Sequence, residues 1–194
     1  MPPGPQSAII HYSNKTNQKP TMKLSVIVLV GLSAICLCQK PNPIPLPSLD
    51  LNKVQGLWYI VVGYAPKGYS DRICMTLNFT SLDDTSVKVI MFEVLRSQWQ
   101  HTDVSVLDVY HNGSVWGDDD GLVDINWLSI DPVNASWATL ADGLGQSAFI
   151  ISRTPSLNTI IIQSQLALLQ KEGYYVYSNN TSVIPNDCPS DYIL

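Results

Sequence analysis

The stretch QGLWYIVVGYAP, residues 55–66, opens on a glycine, places a tryptophan two residues later and then runs apolar and β-prone for most of its length. A strand with one wet face alternates apolar and polar residues, and this one does so only weakly. It must therefore enclose something, and the surrounding chain says what.

Upstream, MKLSVIVLVGLSAICLC (22–38) has a lysine after Met22, an apolar run and small residues near its end, the layout of a secretory signal peptide. The run from Leu24 to Cys38 is shorter than the ~20 residues a membrane-spanning helix needs. Cleavage after Cys38 leaves a domain spanning 39–194. Residues 1–21 resemble neither signal nor domain and read as a gene-model extension or unstructured leader before a start at Met22. Removing 1–38 takes away Lys15, Lys19 and Lys23 and no acid, so the net charge moves from −5 to −8. Such an acidic exported domain is a poor partner for nucleic acid or an anionic membrane, and no stable membrane insertion is expected.

Cys74 and Cys188 are the two cysteines left after cleavage, which in an exported chain suggests one disulfide. Glycosylation sequons stand at Asn78, Asn112, Asn134, Asn179 and Asn180, the last two adjacent and not both usable. Together these features predict a secreted, extracellular glycoprotein.

Around the opening stretch lie short β-like runs separated by turn residues: 56–65, 72–80, 86–95, 101–110, 122–131, 135–142 and 146–153, with a weaker one at 113–117. KPNPIPLPSLD (40–50) is too proline-rich for helix or central strand and reads as an extended lead-in. LNTIIIQSQLALLQKEG (157–173) predicts one helix with Asn158 as cap, Ile162, Leu166 and Leu169 on its apolar face, and Gly173 at its end. Tyr174–Tyr177 suggests one more strand before the tail. Many short sequential strands predict a closed up-and-down antiparallel barrel or a sandwich.

RICMTLNFT (72–80) orients that sheet. Alternation puts Ile73, Met75, Leu77 and Phe79 on one face and Cys74, Thr76, Asn78 and Thr80 on the other. A glycosylated asparagine must face outward, so the apolar set faces inward and the disulfide ties the tail to the outside. In 122–131, Val123, Ile125 and Trp127 alternate with Asp124 and Asn126 in the same way.

Gly56-x-Trp58 at the first strand, Asp131 ending a strand before a turn, Arg153 in IISRTPSL before the helix, and the Cys74/Cys188 pair together resemble the lipocalin family. The proline-rich lead-in is similar to its apolipoprotein D-like branch. Pro132 stands where the family has an aromatic, and a second disulfide of that branch is absent, its first half-position falling near Lys40. The resemblance implies an eight-stranded barrel with one C-terminal helix packed outside. Trp58 would plug the closed end under Arg153, by an attraction of ~0.5–2 kcal/mol.

The resemblance also implies a carrier of a small hydrophobic ligand (fatty acid, sterol, retinoid or bilin). Tyr64, Ile73, Met75, Leu77, Phe79, Ile125 and Trp127 are the expected lining, apolar and free of charged side chains. No cofactor is implied beyond a bound lipid or bilin pigment, and a cell-surface receptor or weak self-association would be further partners. Two other readings compete. One is a protein-binding glycoprotein on the same scaffold. The other is a lipid isomerase, which would need a free cavity cysteine, whereas Cys74 faces outward. Asp118-Asp-Asp120-Gly121 lacks the spaced oxygen ligands of a calcium loop, and His101 and His111 lack partner ligands, so no metal is expected. Trp99, Trp116 and Trp137 are read as packing or rim residues.

Overall fold

The computed structural model describes residues 43–65, 69–97, 99–118, 124–174 and 180–188, all within the unit Lys40–Leu194. The signal segment 22–38, residues 1–21, all but the first residue of the strand expected at 174–177, Asn179 and most of the Asp118–Gly121 run lie outside the described residues.

The strands are β1 (Gly56–Tyr64), β2 (Arg72–Ser81), β3 (Ser86–Leu95), β4 (Gln100–Tyr110), β5 (Val115–Gly117), β6 (Asp124–Ile130), β7 (Trp137–Asp142), β8 (Ala148–Ser152) and β9 (Thr181–Val183). Each of β2 to β7 pairs antiparallel with the next. β8 returns to β1, and β1 pairs with β2, so β1 to β8 form a closed up-and-down barrel. The short β9 lies on β1 opposite Val62–Tyr64, where β1 has parted from β2.

A four-residue helix, α1 (Leu51–Val54), precedes the barrel, capped by the Asp50 carboxylate on the Asn52 N–H at 3.0 Å. The lead-in crosses one end of the barrel. Leu46 N–H donates to the Trp127 carbonyl at 2.8 Å and Leu49 N–H to that of Asn112 at 2.9 Å. Prolines suit this path because they need no ladder partner. Leu46, Leu49, Leu51 and Val54 join Trp58 in the main core and close that end.

α2 (Thr159–Lys171) packs on the outside. Asn158 caps its first turn by accepting from Ile160 N–H at 2.8 Å, and Tyr174 N–H caps the last by donating to the Leu169 carbonyl at 2.9 Å. Ile162 and Leu166 lie against Tyr59, Val61, Val62 and Ile150, while Leu169 joins Tyr64 and Tyr174. Between them the buried Gln165 carbonyl accepts from the hydroxyls of Ser129 at 2.6 Å and Thr139 at 3.0 Å, docking the helix on β6 and β7.

This explains the opening stretch. β1 is apolar throughout because both its faces are covered. Trp58 and Ile60 face the barrel core; Tyr59, Val61 and Val62 face α2 and the tail. The sequence-based expectation assigned the run to a plugged end and a cavity alone; the helix supplies the missing second cover.

β5, β7 and β8 each start two residues later than expected, and for β7 and β8 an aspartate explains the delay. The Asp131 carboxylate accepts from Val133 N–H, Ser136 N–H and Ser136 hydroxyl, holding the β6–β7 turn open until Trp137. Asp142 does the same with Gln146 N–H and the N–H and hydroxyl of Ser147, so β8 begins at Ala148.

Candidate functional site

The closed end is built first. Gly56 adopts φ +88°, a conformation that favours glycine, as the chain turns from α1 into β1. Trp58 is fully buried, and its indole N–H donates to the Val54 carbonyl at 2.7 Å. Trp127 lies edge-on to Trp58 at 6.2 Å and to Trp116 at 5.0 Å, and Phe79 meets Trp116 at 5.0 Å and Trp127 at 5.6 Å. Edge-to-face pairs of this kind add ~0.5–1.5 kcal/mol each beyond burial. The four rings form a solid aromatic floor. Trp116 donates to the Gly113 carbonyl at 2.8 Å, whereas the buried Trp127 indole N–H has no hydrogen-bond partner among the described residues.

Above the floor the barrel holds a cavity of about 620 Å³. Its apolar walls include Met75, Leu77, Val89, Met91, Leu107 and Ile125. Of the residues expected to line it, Met75, Leu77 and Ile125 do so. Phe79 and Trp127 do not: they are one layer lower, in the floor. Tyr64 is also displaced, standing under α2 with its ring edge-on to Tyr174 at 5.9 Å. The register shift in the β1–β8 pairing between Ile60 and Val62 breaks the alternation that would have carried Tyr64 inward.

Ile73 is the sharpest correction. The β2–β3 register shifts between Arg72 and Cys74. The bulge leaves Ile73 outside, packed with Cys74, Phe92, Val94 and Cys188, and turns Arg72 inward in its place. The lining is therefore not free of charge. Arg72 Nε donates to Glu93 at 3.2 Å, and its Nη1 bonds Asp71. Burial opposes the Arg72 charge, but the bonds to Asp71 and Glu93 outweigh it and hold its pKa above the ordinary value. Asp103, Asp124 and Asp142 complete the charged lining among the described residues.

The registers place these groups at one end. Gly56 pairs with Phe79 and Trp58 with Leu77 at the floor. Met75 pairs with Glu93, Met91 with Asp103 and Ile125 with Asp142 toward the other end. Tyr69 stands there too, its ring 5.6 Å from Phe149 and under the Arg72 guanidinium at 5.2 Å. Burial pushes the Tyr69 phenol up, Arg72 pulls it down, and Glu93 and Asp142 push it up again.

Glu93 and Asp103 were legible in principle. In SVKVIMFEVL, Glu93 continues the Val87, Val89, Met91 face, and in HTDVSVLDVY, Asp103 shares the face of Leu107. Arg72 was not legible, since nothing in the sequence marks the bulge.

The Cys74–Cys188 disulfide is present, with Cα atoms 5.0 Å apart, tying the tail outside β2. Asn78 is half-buried on the strand, Asn112 and Asn134 are exposed and Asn180 is half-buried. Trp99 is exposed and stacked on His101 at 5.0 Å, Trp116 is buried in the floor and Trp137 is half-buried. Among the described residues no group of three or more His, Cys, Asp or Glu is arranged to hold a metal ion, and no helix is long and apolar enough to cross a membrane.

The sequence matches no family model and no curated protein. Solved structures match in fold. A siderocalin, Ex-FABP, described as functioning through dual ligand specificities, aligns with TM-score 0.57 and 13% identity over 70% of this chain and 96% of its own. Siderocalin Q83, described as having a dual ligand binding mode, aligns with TM-score 0.58 and 14% identity over 71% and 94%. Apocrustacyanin C1 aligns with TM-score 0.54 and 16% identity over 79% and 95%. The fold is that of the lipocalins.

Proposed function

We propose that this protein is a secreted, glycosylated lipocalin of the apolipoprotein D-like kind that carries a small hydrophobic molecule in its barrel. It works by binding and not by catalysis. The observation that carries this reading is the cavity of about 620 Å³, walled by aliphatic side chains and closed below by an aromatic floor. Fatty acids, sterols, retinoids and bilins are the candidate cargo. Burying such a molecule gains ~25 cal/mol per Å², less the cost of immobilising it. A micromolar affinity, about −8 kcal/mol, is the expected scale.

The test is direct. Protein from a secretory host is purified without detergent, and its organic extract is identified by mass spectrometry. The delipidated protein is then titrated with arachidonic acid, retinol, a sterol and biliverdin while tryptophan fluorescence is followed. A saturable change for at least one is expected. Folded, delipidated protein that binds nothing in a broad lipid panel would overturn the carrier reading in favour of a protein partner.

A further inference from the structure

The charge around the cavity argues for a more specific cargo. Among the described lining residues four carboxylates, Glu93, Asp103, Asp124 and Asp142, face one cation, Arg72. Arg72 is already engaged, by Glu93 at 3.2 Å and by Asp71. Glu93 is 8% exposed, so drawing Arg72 away would leave a buried carboxylate unpaired. The other acids are solvated mainly by neutral groups. Asp142 accepts two backbone N–H groups and the Ser147 hydroxyl, and Asp124 accepts from Asn126 Nδ2 at 3.3 Å. Neutral donors stabilise these carboxylates without cancelling their charge. Asp103 has His101 Nε2 at 2.8 Å, a partner that carries charge only when protonated.

These acids rim a hollow whose depth is aliphatic. Low-dielectric walls focus the field of a like-charged rim onto whatever occupies the opening. A carboxylate head held there would face the carboxylates of Asp103, Asp124 and Asp142, or would have to break the Arg72–Glu93 pair. An ammonium head would be attracted, with its apolar tail filling the space between Met75, Leu77, Leu107 and Ile125.

We propose that the cavity selects a cationic amphiphile, an amine with an apolar body, accepts neutral analogues more weakly and discriminates against carboxylate lipids. This rests on the carrier reading, keeps the neutral members of its cargo and adds amphiphilic amines to them.

The test uses three ligands with one ten-carbon tail: decylamine, decan-1-ol and decanoate. Each is titrated calorimetrically into the delipidated full chain at neutral pH, at low and at high salt. The amine should bind tightest and the acid weakest, with at least a tenfold gap, about 1.4 kcal/mol. The gap should shrink with salt as screening sets in. Glu93→Gln, which removes one of the two carboxylates bonded to Arg72, should improve decanoate binding. Asp103→Asn, at a half-exposed position that folding tolerates, should weaken decylamine and spare the alcohol. Equal affinities for all three, an acid that binds as tightly as the amine, or an amine preference that ignores salt would overturn the charge selection and leave the carrier reading standing. If none of the three binds, the charge selection fails, and the broad lipid panel decides separately whether the carrier reading stands.

Discussion

Arg153 lies over Trp58, its guanidinium carbon 3.8 Å from the indole centroid. Its two terminal nitrogens donate to the carbonyls of Leu57 and Lys53, each at 2.9 Å. One side chain from the end of β8 thus clamps the ring, the first turn of β1 and helix α1 together. Only a planar, forked cation can stack and bond in two directions at once.

Arg153→Ala should therefore lower stability by about 1–3 kcal/mol, from lost stacking and two lost hydrogen bonds. Arg153→Lys should recover less than half of that. Ligand affinity should stay within a factor of two in both, because the floor separates this end from the cavity. Chemical denaturation and ligand titration of the same samples check both statements; a large loss of affinity in a fully folded mutant would mean that the two ends are misassigned.

Asn186 stitches β1 to β2 where they part. Its side-chain oxygen accepts from Met75 N–H at 3.3 Å, and its amide nitrogen donates to the carbonyls of Ile60 and Pro155, each at 3.1 Å. Its backbone sits at φ +57°, which asparagine tolerates better than most residues. Asn186→Ala should cost about 2–4 kcal/mol, combining unpaired buried groups with backbone strain. Asn186→Gly removes the same bonds without the strain, so it should be less damaging by about 1 kcal/mol. Thermal and denaturant unfolding of the pair separates the two contributions.

Gly63 lies beneath the Tyr69 ring, so closely that a Cβ there would stand 2.5 Å from Tyr69 Cδ2. Gly63→Ala should destabilise the fold by about 1–3 kcal/mol through overpacking. It should also alter cargo affinity, because Tyr69 lines the cavity. In a Tyr69→Ala background the same change should be nearly neutral. A double-mutant cycle measures the coupling, and simple additivity would exclude the contact.

Asp131 bears on acid stability. Its carboxyl is held below the usual range, first by the Ser136 hydroxyl and then by the Val133 N–H. The unfolded chain therefore binds this proton more readily than the folded one. The resulting stability is fully present above the unfolded carboxylate value of about 3.9 and is lost as pH falls through the lower folded value. Asp131→Asn should be less stable than wild type at neutral pH and should show a shallower decline below about pH 4. Melting temperatures across that range check this; parallel curves would show that Asp131 contributes nothing to the acid transition.

Local signals carried much of the architecture. The strands, the helix, the Gly56-x-Trp58 start, Arg153 and the cysteine pair could all be read because each depends on short-range periodicity, turn chemistry or a compact motif. Met75, Leu77 and Ile125 were correctly oriented by alternation alone. Alternation fails where two strands slip by one residue, and that slip is set by the pairing partner, not by the strand itself. So the bulge before Cys74, which sends Ile73 outward and Arg72 inward, belongs to the tertiary structure. So does the doubly covered β1, since a helix a hundred residues downstream supplies its outer cover. The acidic rim follows from both: its side chains were in plain sight in the sequence, but only the closed barrel brings strands β2, β3, β4, β6 and β7 around one opening, where their charges act together.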